Sequence, residues 1–269
     1  MIVRVKKYIA KILNIILSIK IFRWLCLKSV SLKKVAFGEQ YKYILYRIPT
    51  WLLVDHKNAD IICNVEKMEM IDIADNSIDI VYSSHMIEHI TDEALNHFLG
   101  ELHRILKKGG CIRIEAPDAE KLINAYIHND SDILVDFIDN GVMLAKKYGV
   151  NDYGSFHMAF LSSLVSYIKD GCIEPVLVDK SEIDKRINDI DSFVEWCKTL
   201  LTDEQKGTHG HINPVYYSKL ESNLSDAGFT KICSAENRET NLGVIVEKSI
   251  QQIERPHRSY YSFYVEAVK

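Results

Sequence analysis

Six cysteines, Cys26, Cys63, Cys111, Cys172, Cys197 and Cys233, are scattered along 269 residues, and no two have the close spacing of a zinc site or a redox dithiol. Reduced, structural thiols in a cytoplasmic chain are expected, and no metal ligand set is. No strand pattern is followed by G-x-G-x-x-G, which removes a nicotinamide-linked oxidoreductase. Internal repeats and low-complexity linkers are also missing, so one α/β domain with an insertion is expected. The first 38 residues hold no Asp or Glu against nine Lys or Arg, whereas the rest carries 24 basic against 37 acidic residues. An acidic body excludes a general nucleic-acid binder and leaves the basic head to be explained.

That head lacks a run long enough to cross a bilayer. Residues 2–27 are mostly Ile, Leu, Val and aromatics, but Arg4, Lys7, Lys11, Asn14 and Ser18 recur at helical spacing. The longest charge-free run, Ile12 to Ile19, is eight residues, where a span needs about twenty. A basic amphipathic helix over residues 1–30 is expected. Either residues 1–28 lie on an anionic membrane surface, or the helix packs on the sheet or on a second subunit. Charges at Lys11, Lys20 and Arg23, with no small-residue cleavage site after them, argue against a signal peptide.

The most informative stretch runs from Ile78 to Asp118. Ile78 to Tyr82 reads as a buried strand that delivers a polar turn, Ser83-Ser84-His85. Leu95, Phe98, Leu99, Leu102, Ile105 and Leu106 then draw one apolar face of a helix. Thr91 is placed to cap its start, with Asp92 and Glu93 in the first turn and Arg104, Lys107 and Lys108 near its end. Glu88 and His89 read as helical residues supporting the loop. After Gly109-Gly110, Cys111 to Ala116 reads as a second strand stopped by Pro117, which completes a parallel crossover unit.

The texts DNSIDIVYSSHMIEHI and LHRILKKGGCIRIEAPD resemble the class I S-adenosylmethionine-dependent methyltransferases, in the branch often encoded with surface-polysaccharide enzymes. Leu99 to Gly110, which overlaps the second, carries that branch's L-x-E-x-x-R-x-L-K-x-G-G helix end, and ERPHRSYYSFYVEAVK is similar to its closing strand. The resemblance implies a Rossmann-like α/β fold with a seven-stranded, mostly parallel sheet whose last strand is antiparallel. Residues 31–269 would form this domain, with 119–206 as a variable helical insertion serving as lid and acceptor pocket.

The resemblance also assigns a site for S-adenosylmethionine. Gly38 would end the first strand, although Glu39 and Gln40 follow where the family has a glycine loop. Gln40 would either hydrogen-bond the cofactor carboxylate or fill its pocket. Asp55, at the tip of the second strand, would accept the ribose hydroxyls; the alternative is a solvated turn residue. Asn64 would meet the adenine amino group, and Ser83 would line the same crevice. His85 is the candidate catalytic base, or else a histidine holding its turn. His157, His209 and His211 are candidates for an acceptor pocket, with exposed loops as the alternative. Two functions follow. One is methyl transfer to a hydroxyl of a glycan or other small acceptor, and the other is a methyltransferase-fold binding or scaffolding subunit without turnover.

Overall fold

The computed structural model describes residues 32–38, 50–254 and 260–269. The amphipathic helix expected over 1–30 and the Glu39-Gln40 loop lie outside the described residues. Strands β1 (Lys34–Phe37), β2 (Trp51–Asp55), β3 (Ile61–Ile62), β4 (Ile78–Ser84) and β5 (Leu106–Pro117) form the parallel part of the main sheet. A hairpin of β6 (Ser166–Lys169) and β7 (Cys172–Pro175) stands apart from it. Strands β8 (Thr230–Ala235) and β9 (Ser262–Val268) close the sheet in the order β3-β2-β1-β4-β5-β9-β8. Among these seven strands, β9 runs antiparallel to both neighbours. The fold is the Rossmann-like one expected from the sequence.

Period-two alternation divides the sheet between two cores. Val35, Phe37 and Val81 face a layer that includes α1 (Asp92–Ile105) and α8 (Tyr217–Asp226). Ala36, Ile80 and Tyr82 face the other layer with Ile250 and Ile253 of α9 (Val244–Ile253). The α1 helix starts as its sequence dictates, with Thr91 Oγ1 accepting from the Ala94 amide at 3.2 Å. It buries Leu95, Phe98, Leu99, Leu102 and Ile105, and Phe98 meets Phe37 edge-on at 4.9 Å. Glu88 and His89, read as helical, instead form a separate 3-10 turn, Ile87–His89, because Ile90 and Thr91 are extended. Nor does a glycine turn separate α1 from β5. The strand begins directly at Leu106 and carries Gly109 and Gly110 within it.

The helix-end motif has a mechanical reason. Arg104 Nε and Nη2 donate to the two Glu101 carboxylate oxygens, each at 2.8 Å. The same guanidinium reaches the Ile71 and Ile73 carbonyls at 2.9 Å, while Glu101 accepts the Ile71 amide at 2.9 Å. One pair of side chains thereby straps the segment before β4 to the helix after it.

Between β5 and β8 lies the insertion: α2 (Ala119–His128), α3 (Val135–Tyr148), α4 (Phe156–Leu164), the hairpin, α5 (Lys180–Arg186), α6 (Ile190–Thr199) and α7 (Asp203–Lys206). Its apolar core runs on to Ile212 and Tyr216, past the expected limit at 206. The antiparallel hairpin was not expected among helices. The sequence pattern predicts helix breaks at Gly141, Gly149, Gly154 and Gly171; Gly171 forms the hairpin turn at φ 75° and Gly149 ends α3 at φ 73°, but Gly141 breaks nothing. It sits inside α3, where a Cβ would lie 2.1 Å from the Tyr153 carbonyl oxygen.

Residues 236–261, left unassigned by the sequence pattern except for the closing segment, contain α9 and a buried ion cluster. Arg113, in the middle of β5, is 1% exposed and ion-paired to Glu254 and Glu266, both fully buried. Its Nη1 and Nη2 also donate to the Glu239 and Glu236 carbonyls at 2.8 and 2.7 Å. This clamp ties β9, the end of α9 and the intervening loop to the sheet. Arg113→Met leaves two buried carboxylates without their cation, and urea unfolding should show a loss of about 3–5 kcal/mol.

Candidate cofactor cavity

A cavity opens at the C-terminal ends of β1, β2 and β4, the edge at which open parallel sheets bind ligands. Gly38, Asp55 and Asn64 lie on its wall, as does His85. Gly38 has φ 76°, and a Cβ there would stand 2.0 Å from the Ser84 carbonyl oxygen. Only glycine lets the tips of β1 and β4 approach this closely. Asp55, with 32% of its side chain exposed, accepts the His56 amide on Oδ1 at 2.6 Å, and the same oxygen contacts His56 Nδ1. That leaves a carboxylate fixed by its neighbour at the cavity rim.

Asn64 is engaged locally. Its Oδ1 accepts the Lys67 amide at 3.2 Å and caps the 3-10 turn Val65–Lys67. A ligand on the cavity wall therefore meets an oxygen with one lone pair already directed into that turn.

Ser83 does not reach the cavity. Its side chain is fully buried within β4, and Oγ has no hydrogen-bond partner. The strand pleat turns it inward, so His85 and Met86 form the wall expected of it.

His85 lies on the wall, and its turn is closely held. It adopts φ 46°, a left-handed conformation uncommon outside glycine, which turns its ring back over the ends of β5 and β9. Nδ1 lies 3.2 Å from Glu88 Oε1, and Nε2 lies 3.4 Å from Glu115 Oε1 and 3.3 Å from Ser262 Oγ. Burial pulls the imidazole pKa down, but the Glu115 and Glu88 carboxylates outweigh it and push it up to about 9. A pKa raised in this direction favours the imidazolium, which has no lone pair to take a proton, and so weighs against His85 as the general base. Because this folded value lies above the ordinary 6.5, the stability His85 contributes is full below pH 6.5 and is lost as pH rises through about 9. For Glu88, burial acts upward, yet the His85 ring beside it outweighs this and holds its pKa down at about 2.

The later histidines separate. His209 is exposed, stacks on His56 with ring centroids 5.5 Å apart, and forms part of the cavity rim. His211 packs against His89 instead, at 5.0 Å, and is not on the wall. His157, in α4, is not on the wall either. The sequence reading missed His56, Cys63, Glu66 and Met86 as lining residues. Adjacency to Asp55 was the available signal for His56, and Glu66 and Met86 had none.

Residues 51–114 match the methyltransferase domain family, a stretch from β2 into β5 that carries Asp55, Asn64 and His85. No curated protein matches the chain. Solved structures of similar shape include a SAM-dependent methyltransferase from Archaeoglobus fulgidus, at 12% identity and TM-score 0.40, covering 95% of this chain and 94% of that one. Another is an S-adenosylmethionine-dependent methyltransferase from Mesorhizobium loti, at 13% identity and TM-score 0.43, with coverages of 92% and 97%. A third is phosphoethanolamine N-methyltransferase 2 from Haemonchus contortus in complex with S-adenosyl-L-methionine, at 12% identity and TM-score 0.39, with coverages of 93% and 52%. Likenesses of that degree bear on neither activity nor acceptor. The strand order is that of a Rossmann-like fold, and residues 51–114 within it are similar to methyltransferase domains.

Gly38→Ala should force apart the tips of β1 and β4. Besides the clash, a non-glycine residue at this φ costs about 1–3 kcal/mol, so thermal unfolding should shift clearly downward. An unchanged midpoint would mean that the approach of the two strands is not built in.

Proposed function

We propose that this chain is an S-adenosylmethionine-dependent methyltransferase that binds its cofactor in the cavity at the ends of β1, β2 and β4. One observation carries the reading: a bare glycine backbone at Gly38 and a fixed carboxylate at Asp55 stand at neighbouring strand tips on one cavity wall. The glycine admits the methionine part of the cofactor, and the carboxylate accepts two ribose hydroxyls. The match of residues 51–114 to methyltransferase domains supports the same assignment.

Transfer from a sulfonium breaks one S–C bond and forms one bond to the acceptor in line with it. The protein's task is alignment and exclusion of water rather than nucleophilic attack. The acceptor in this reading is a hydroxyl of a glycan or other small molecule, held between the cavity rim and the insertion. With the His85 pKa pushed upward, the hydroxyl's proton leaves in this reading to another group. The basic residues 1–28 would hold the enzyme against an anionic membrane surface. No helix among the described residues is long and apolar enough to cross a membrane.

Calorimetric titration of the full chain with S-adenosylmethionine and S-adenosylhomocysteine tests the reading. Both should bind, and Asp55→Ala should lose about 1.5–3 kcal/mol, the worth of hydrogen bonds to a charged group. A folded wild type that binds neither would retire the enzyme in favour of a scaffolding subunit.

A further inference from the structure

Behind the cavity wall, Glu88, His89 and His211 bring one potential ligand atom each to within 4.8 Å of one another. Two come from the turn after β4 and one from the segment that precedes α8, so sequence spacing gave no sign of the set. The carboxylate is the unusual member. Glu88 is 2% exposed, and neither of its oxygens receives a hydrogen bond. Its nearest basic neighbours are His85 Nδ1 at 3.2 Å and His89 Nε2 at 3.8 Å, both on the side of Oε1. Apart from these imidazoles the buried carboxylate meets no donor among the described residues, and Oε2 has no partner at all.

Both imidazoles are aimed by the backbone. His89 Nδ1 lies 2.9 Å from the Gly210 carbonyl, and His211 Nδ1 lies 2.8 Å from the Ser163 carbonyl. A carbonyl only accepts, so each Nδ1 carries a proton, and the nitrogen left to bind an ion is Nε2. Metal-binding histidines are oriented in this way, by donating their second nitrogen to a carbonyl or carboxylate. The two segments are also fastened together. The Glu88 carbonyl accepts the Ile212 and Asn213 amides at 2.8 and 3.1 Å. At Gly210 a Cβ would lie 2.1 Å from the Ser166 carbonyl oxygen, so that segment is seated by close backbone contact.

We propose that Glu88, His89 and His211 form a binding site for a first-row divalent transition-metal ion, with zinc as the representative case. Two imidazoles and one carboxylate suit such ions and not magnesium or calcium, which take oxygen ligands. Bonds of about 2.0–2.2 Å in tetrahedral geometry place ligand atoms about 3.4 Å apart, so the side chains close in by small rotations. The ion takes the Glu88 carboxylate, while Glu115 keeps His85. Since His89 also lines the cavity, the ion would stand beside the methyl-transfer site. That last consequence rests on the functional reading above, but the metal site does not.

The test uses the full chain, stripped with a chelator and then titrated with Zn2+ by calorimetry and with Co2+ by visible absorption, both without S-adenosylmethionine. One ion per chain should bind, with a Co2+ spectrum of nitrogen and oxygen ligation. Glu88→Gln and His211→Ala should each weaken binding on the order of a hundredfold, whereas His157→Ala should leave it unchanged. Circular dichroism identifies any variant that fails to fold. In that case the wild-type titration and Co2+ spectrum still decide. No stoichiometric binding by the wild type, or undiminished binding by folded His211→Ala, would overturn the site. Failure to bind S-adenosylmethionine would leave this result untouched.

Discussion

The site is organised by one charged ring held between two buried carboxylates. His85 leaves β4 in a left-handed conformation, and its imidazolium is shared by Glu88, in the following turn, and Glu115, near the end of β5. Its amide donates to the Glu115 carbonyl at 2.9 Å, so backbone and side chain draw the same two strand ends together. Contact with Ser262 and Tyr261 extends the hold to β9. Without this cation, two carboxylates would face each other across a nearly dry turn, which is costly at short range. The Gly38 approach to Ser84 and the cavity wall at His85 and Met86 both depend on where this turn is set.

The two carboxylates are not equivalent. Glu115 accepts from Tyr82 at 2.5 Å, Ser84 at 3.1 Å and Tyr264 at 3.3 Å, so its charge is well solvated by the protein. Glu88 has no such donors. This asymmetry makes Glu115 the structural partner of His85 and leaves Glu88 the one with unused ligating capacity. Earlier in β5, Arg113 answers Glu254 and Glu266 by the same principle with opposite signs. Together the two clusters hold both halves of β9 against the sheet.

Local pattern carried the central unit well. Strand, cap, amphipathic helix and second strand between Ile78 and Pro117 were legible because each is dictated by neighbours in sequence: Thr91 caps Ala94, and Leu95 to Ile105 repeat at helical spacing. The resemblance put Gly38 and Asp55 at strand ends, and both stand there on the cavity wall. Four features were not legible. Ser83 turns inward through the strand pleat, and the conformation of His85 is imposed by carboxylates from other segments. Gly141 serves a carbonyl from the following turn rather than ending its helix. Glu88 meets His211 only after the insertion has folded back. In each case a contact made only in the folded chain overrides what the local residues suggest.

The most direct measurement is the protonation state of His85 in metal-free protein, read from the nitrogen chemical shifts of its imidazole across a pH titration. An imidazolium clamped by Glu88 and Glu115 should show both ring nitrogens protonated at neutral pH and titrate near pH 9. The resonance should move toward the ordinary range in Glu115→Gln, which removes one of the two charges. A ring that is neutral at pH 7.5, with one nitrogen unprotonated, would contradict the account of the turn and restore His85 as a candidate base.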